Sequence, residues 1–358
     1  MTMLALGLMS GTSLDGVDAA LVVTDGIAVE RLGPALTVPY QPDTRERLRS
    51  VLGGAGPVAE VEAEITRIHA EAVARLLAEA GVSGAEVDVI GFHGHTILHR
   101  PEQRRTWLIG DGALLARLTG IPVVNDFRTA DVLAGGQGAP LVPVFHRALA
   151  AGIERPVAVL NLGGVGNVTW IGEDDGLLAF DTGPGNALID DWALAHTGTP
   201  VDEDGRLARS GKVDGARVAR FAQHPFFVRI PPKSLDRDDF RTFASGLVQG
   251  MDAADGAATL SAFTARAAGL ARAHFPKPAA RWLVCGGGRH NPAVMAALRA
   301  EFNAPVEPVE AVGWDGDALE AQAFAYLAVR SLRGLPLTYP ETTGGPSALS
   351  GGAFHPCP

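Results

Sequence analysis

Asp181 opens the segment DTGPGNALID directly after the apolar run 178–180, so a carboxylate emerges where a buried strand ends and glycine and proline fix the turn. A carboxylate held at such a place suits a general base. An aspartate there equally caps the turn or the helix that follows. Asp190 and Asp191, further along, read as solvated or structural groups. Two glycine-rich turns offer the complementary chemistry of phosphate binding. Gly11, Thr12, Ser13, Leu14, Asp15 and Gly16 bring backbone N–H groups, hydroxyls and a carboxylate into one tight turn between apolar runs, which suits phosphate with magnesium at Asp15 but would serve an ordinary hairpin as well. The lysine of a P-loop is missing from it. Gly163, Gly164, Gly166, Asn167 and Thr169 form a second turn that a phosphate can approach closely, because glycine removes the blocking side chain.

Gly286, Gly287 and Gly288 follow a strand and precede a helix, but Arg289 and His290 break the dinucleotide pattern; adenosine contact remains the reading. His93, His95 and His99 straddle a strand end and a loop without a cysteine or a third-ligand signature, so sugar contact or satisfied histidines are preferred to zinc. Asp126, Arg128, Asp131, Gly135, Gly136, Gly138 and Pro140 make a polar, glycine-rich cluster in which Arg128 is the natural partner of a substrate carboxylate.

The elements that must position these groups alternate between strand and helix, which makes the class α/β. The apolar runs 4–9 and 17–23 read as a hairpin about the first turn, and 157–162 with 168–171 as a second hairpin of the same plan, which suggests duplication. Val61, Ile65, Ile68, Ala72 and Leu76 recur at steps of three and four and mark a helix over 58–77. Further strands are expected at 87–92, 121–124 and 282–285, and helices at 292–302 and 319–330; the tail from Thr342 reads as a loop. The polar segment 125–128 is the expected domain boundary.

A chain of 358 residues exceeds the size at which one core usually stops growing, so two domains with a ligand cleft are expected. A net charge of −10 argues against nucleic acid or an anionic membrane as a partner. Two cysteines, Cys285 and Cys357, make no disulfide framework, and no apolar run is long enough to span a bilayer, so a cytoplasmic protein is expected.

In order along the chain stand LGLMSGTSLDGVDAALV, FHGHT, DFRTADVLAGGQGAPLVP, NLGGVGNVT, DTGPGNALID, CGGGRHNP and EAQAFAYLA. Together they resemble the motifs of the anhydro-N-acetylmuramic acid kinases, from Leu6 to about Leu327. The resemblance implies a two-domain actin-like ATPase (ribonuclease H-like) fold with an interdomain cleft: residues 1–127 with a C-terminal helix at about 325–358 in one domain, 128–324 in the other. It implies ATP and Mg2+, and a reaction in which water opens the anhydro bridge of 1,6-anhydro-N-acetylmuramic acid while O6 is phosphorylated, giving N-acetylmuramic acid 6-phosphate in cell-wall recycling. By the same resemblance Asp181 is the catalytic base that deprotonates the water. Thr96, Arg128, Asp131 and Glu320 contact the sugar, and Val17, Asp18, Asn161, Asn167 and Asn291 join the three glycine turns in the nucleotide site. Family members resemble homodimers. This chain departs from the pattern at His95, where a glutamine is usual, and in PPKSLDRDDF at Leu235, Asp236 and Asp239; Lys233, Ser234 and Arg237 of that segment match and are secondary candidates. An ordinary hexose kinase and a non-enzymatic ATP switch are the rival readings.

Overall fold

The computed structural model describes residues 1–11 and 13–357. It divides into two compact units, Met1–Ala151 with Ala318–Pro358, and Gly152–Asp317. In the first unit β1 (Met3–Met9), β2 (Gly16–Thr24) and β3 (Val29–Pro39) form an antiparallel meander, and β4 (Val89–Phe92) pairs in parallel with β1. A small hairpin, β5 (His95–Arg100) with β6 (Arg105–Ile109), stands apart, and β7 (Val123–Asn125) pairs in parallel with β4. The sheet thus runs β3, β2, β1, β4, β7, and the first turn joins its central strands.

The second unit repeats the plan. Here β8 (Val157–Leu162), β9 (Val165–Ile171) and β10 (Leu177–Pro184) make the meander, and β11 (Arg281–Cys285) and β12 (Val306–Pro308) follow in parallel beside β8. Two meanders, each continued by parallel strands on the side of its first strand, are the duplicated ribonuclease H-like plan that the paired hairpins point to.

Glycine fixes where the helix Leu319–Leu332 lies on the first sheet. A Cβ on Gly7 would fall 1.7 Å from Ala321 O, and one on Gly91 1.9 Å from Phe324 O. Only glycine on β1 and β4 lets the helix backbone come this close, and the position of Glu320 on its first turn follows. The helix buries Ala321, Phe324, Leu327 and Ala328. The long helix Val58–Ala80 buries Val61, Ile65, Ala72 and Leu76, as its spacing requires, and Gly81 in the left-handed conformation ends it. In the second unit the helix Ala253–Ala271 packs on a core in which the Phe221 and Phe263 rings stack at 4.3 Å.

Two expectations change. The unit boundaries fall at 151/152 and 317/318 in place of 127/128 and 324/325, so residues 125–128 lie inside one unit and do not link two. The physical reason is that 129–149 is bound into the first unit: Thr338 and Thr343 donate to Asp131, and the Phe145 ring meets Tyr326 at 5.5 Å. The C-terminal tail is also not merely a loop. Pro340–Thr343 forms a helical turn and Ala353–His355 pairs antiparallel with β7. Among the described residues no helix is long and apolar enough to cross a membrane.

Candidate active site

The first turn closes with a hydrogen bond from Leu14 N–H to Gly11 O at 3.1 Å, and Leu14 has φ of 62°. A leucine tolerates that conformation because its buried side chain anchors the turn in the core. Gly16 is required by the close passage of β3, since a Cβ would lie 2.3 Å from Val38 O. Gly11 has no such protein neighbour: a Cβ there would meet nothing nearer than 3.6 Å. Ser13 and Asp15 are exposed, and Asp15 O accepts from Tyr40 N–H at 2.9 Å, which leaves the carboxylate open. Thr12 lies outside the described residues. Val17 puts its side chain into the core, and Asp18 accepts from the Thr37 hydroxyl at 2.6 Å, so neither side chain is as free as its place in the motif suggests.

Behind the turn, Ser10 Oγ lies 2.9 Å from His95 Nδ1 and 2.8 Å from Tyr40 Oη. His95 is fully buried and held neutral, its pKa lowered to about 4 by burial, so it supports the turn from within. Its neighbour Thr96 on β5 is half-buried. The three histidines take separate partners, and no group of metal-ligating side chains forms among the described residues.

Arg128 is aimed by a partner that sequence reading did not find. His93 Nδ1 donates to Gly94 O at 2.9 Å, which leaves Nε2 to accept from Arg128 Nη2 at 3.0 Å. Burial and the adjacent guanidinium hold His93 well below its ordinary pKa, so it stays a neutral acceptor. Arg128 Nη1 donates to Gly138 O at 2.7 Å. His93 and Gly138 O thus fix the guanidinium fork in place. Burial lowers Arg128 to about 10, and Glu320 opposes that shift. Glu320 keeps an open surface, yet the protein crowded around it raises its carboxyl; the charge of Asp18 adds to the shift and Arg128 opposes it. Arg128 and Asp18 therefore both act on Glu320.

Asp131 does not join them. It is 2% exposed; Oδ2 accepts from Gly138 N–H at 2.7 Å, and Oδ1 from the hydroxyls of Thr338 at 2.6 Å and Thr343 at 2.8 Å. A buried carboxylate that accepts three hydrogen bonds braces the loop that holds Gly138.

In the second unit the pairing places Asn161, Asn167 and Asp181 side by side across β8, β9 and β10, with Cys285 of β11 next in the row. The three polar groups are half-buried between buried neighbours. Asn167 therefore belongs to a strand and the turn shrinks to Gly163 and Gly164, because the ladder continues through Gly166. Asp181 N–H donates to Lys233 O at 3.0 Å, and Leu235 N–H donates to Asp181 Oδ2 at 2.8 Å. Burial pushes the Asp181 carboxyl up to about 7; Asp236 adds to the shift, while the Leu235 hydrogen bond and Lys233 oppose it.

Asn186 N–H donates to Gly163 O at 2.7 Å and its side-chain amide to Leu162 O at 2.8 Å, which ties the second turn to the start of the helix Ala187–Thr197. A Cβ on Gly163, Gly164 or Gly287 would meet protein only at ordinary distances of 3.6 to 3.9 Å, and none of the three has positive φ. Gly286 has φ of 72° and Gly288 would place a Cβ 2.6 Å from Leu162 Cβ, so both are required by the fold itself. Arg289, almost buried, locks this third turn: it donates to Gly286 O at 3.0 Å and pairs with Glu310 and Asp317 at 2.8 Å each. Asn291 caps the helix Pro292–Glu301, accepting from Ala293 N–H at 2.9 Å and Val294 N–H at 3.2 Å, which commits the amide oxygen to the helix. Asn186, Arg289 and His93 stand inside DTGPGNALID, CGGGRHNP and FHGHT, but these tethering roles depend on contacts that the motifs do not reveal.

A family model described as anhydro-N-acetylmuramic acid kinase matches residues 3–357. The chain is 67% identical to the anhydro-N-acetylmuramic acid kinase of Paramagnetospirillum magneticum over 99% of each chain. It is 59% identical to that of Rhodospirillum rubrum over 98% of this chain and 94% of the relative. Among solved structures it is similar to the activator of 2-hydroxyisocaproyl-CoA dehydratase from Clostridium difficile, with a TM-score of 0.49, 13% identity, and 92% and 96% of the two chains covered.

Proposed function

The chain belongs to the anhydro-N-acetylmuramic acid kinase family, and from that premise we propose that it opens the 1,6-anhydro bridge of 1,6-anhydro-N-acetylmuramic acid with water and phosphorylates O6, with Asp181 as the base. The observation that carries the assignment is the state of Asp181, a half-buried carboxylate with one oxygen held by Leu235 N–H and a pKa brought up to about 7. A base poised there accepts a proton readily near neutral pH.

In this reading water gives its proton to Asp181 as its oxygen bonds to C1. The C1–O6 bond breaks, and the electron pair left on O6 forms the bond to the γ-phosphorus of ATP as ADP leaves. O6 becomes the phosphate ester without needing a proton, and the proton on Asp181 returns to solvent. Positioning supplies much of the acceleration, because three reacting centres must be aligned. Arg128, aimed by His93 and Gly138 O, is assigned to the lactyl carboxylate of the sugar. Glu320 and Thr96 are assigned to its hydroxyl and amide groups.

The glycine turns support the ATP assignment. Nothing in the fold demands glycine at Gly11, Gly163, Gly164 or Gly287, so close approach of a ligand to the backbone gives the reason for it. Asp15, with an exposed carboxylate at the turn, would hold magnesium together with the phosphates, as Mg2+ is held by one or two carboxylates and phosphate oxygens. Bound there, magnesium neutralises charge developing on the phosphoryl oxygens. The same reading makes the protein a cytoplasmic homodimer with neither nucleic acid nor membrane as partner; the charge of −10 supports those last two exclusions.

The test is ADP release by the purified protein with ATP, magnesium and either 1,6-anhydro-N-acetylmuramic acid or a panel of plain hexoses and amino sugars. Release with the anhydro sugar alone supports the assignment. Release with a plain hexose and none with the anhydro sugar contradicts it.

A further inference from the structure

Lys233 is a buried cation that forms no ion pair with a carboxylate among the described residues. It is 7% exposed, and Nζ lies 3.3 Å from Phe226 O, 3.4 Å from Phe227 O and 3.3 Å from His274 Nε2. The ring centroids of Phe226 and Phe180 stand 4.6 and 5.4 Å from it. An ammonium removed from water is costly to hold, and carbonyls and aromatic faces offset only part of that cost. A methionine would fill an aromatic pocket of this kind without the penalty.

The main chain on either side supplies a reason for the charge. Lys233 O accepts Asp181 N–H at 3.0 Å, and two residues on, Leu235 N–H reaches Asp181 Oδ2 at 2.8 Å. Residues 233–235 therefore grip Asp181 by both backbone and carboxylate, and the Lys233 side chain pins that grip beneath Phe180, the residue preceding Asp181. The ammonium also lies close enough to favour the ionised carboxylate, against Asp236, which disfavours it. Burial and then Arg229 disfavour the charge on Lys233 and Asp181 favours it, while burial and Lys233 itself keep the adjacent His274 neutral.

We propose that Lys233 is a positioning residue of the reaction, its buried ammonium anchoring the segment that holds Asp181. The inference rests on the reading of Asp181 as the base.

The experiment compares K233Q, K233R and D181N in the full chain for kcat, the KM of ATP, and the pH dependence of kcat with 1,6-anhydro-N-acetylmuramic acid. Glutamine returns N–H donors to the two carbonyls but no charge. K233Q should fold, leave the KM of ATP unchanged and move the acid limb of kcat upward by about half a unit to one unit. At pH 7 that is a loss of up to about fivefold, and K233R should bring the limb back. If K233Q does not fold, K233M, which fills the pocket without charge, is read for the same shift. Wild-type kcat and an unmoved limb in K233Q, beside an inactive D181N, overturn the role of Lys233 and leave the base assignment standing. An active D181N overturns the base assignment and the inference with it.

Discussion

The backbone N–H of Leu235 donates to Asp181 Oδ2 at 2.8 Å across 54 residues of chain. The contact fixes the direction of the carboxylate, and burial keeps its proton exchangeable near neutrality. The folded protein raises the pKa of this group from 3.8 to about 7, so it favours the protonated form. The stabilising preference is fully present below the unfolded value and is lost as pH rises toward 7; above that the buried carboxylate costs up to a few kcal/mol.

D181N removes that cost and keeps the acceptor for Leu235. We expect it to melt several degrees above wild type at pH 8, with the gap closing toward pH 5, while turnover falls by several orders of magnitude. Wild-type kcat should fall about tenfold per pH unit below about pH 7. Melting curves and rates on the same two preparations check both statements; equal melting temperatures at pH 8 would remove the buried-carboxylate cost.

Arg128 presents a fork fixed by His93 and Gly138 O. R128K keeps the charge but cannot hold both partners and a planar carboxylate at once. A rise of about ten- to a hundredfold in the KM of the sugar, with the KM of ATP unchanged, is expected from steady-state kinetics, equivalent to about 1.4 to 2.7 kcal/mol of lost binding.

Asp131 makes the opposite case. D131N replaces an oxygen that accepts hydrogen bonds with an amide donor, beside Gly138 N–H or the two threonine hydroxyls. Destabilisation of about 2 to 4 kcal/mol is expected, read as a lowered denaturation midpoint, and any loss of activity should follow the loss of folded protein.

The contrast between Asp131 and Asp181 shows how far the sequence could be read. Both stand beside glycine-rich segments, and by type and spacing both are candidates for the site. What separates them is tertiary: Asp131 is met by Thr338 and Thr343, 207 and 212 residues away, whereas Asp181 meets one backbone N–H and keeps the rest of its carboxylate. The paired hairpins were legible because buried strands joined by glycine turns carry strong local signals; β3 was not, because its residues are half-buried or exposed and form no buried run. The strand 353–355 was not, because three residues show no period and its pairing with β7 is long-range. His93 was visible as a polar residue at a strand end, but nothing local indicates that it aims Arg128, 35 residues on. The unit boundary at 151 was missed for the same reason, since the contacts that bind 129–149 into the first unit come from the far end of the chain.

Bridge opening by water is read from the mass of the product formed from ATP, magnesium and 1,6-anhydro-N-acetylmuramic acid in water labelled with heavy oxygen. The expected product is a sugar 6-phosphate carrying one solvent oxygen, placed at C1, in equal yield with ADP. A phosphorylated sugar without solvent oxygen, or ADP formed without bridge opening, would contradict it.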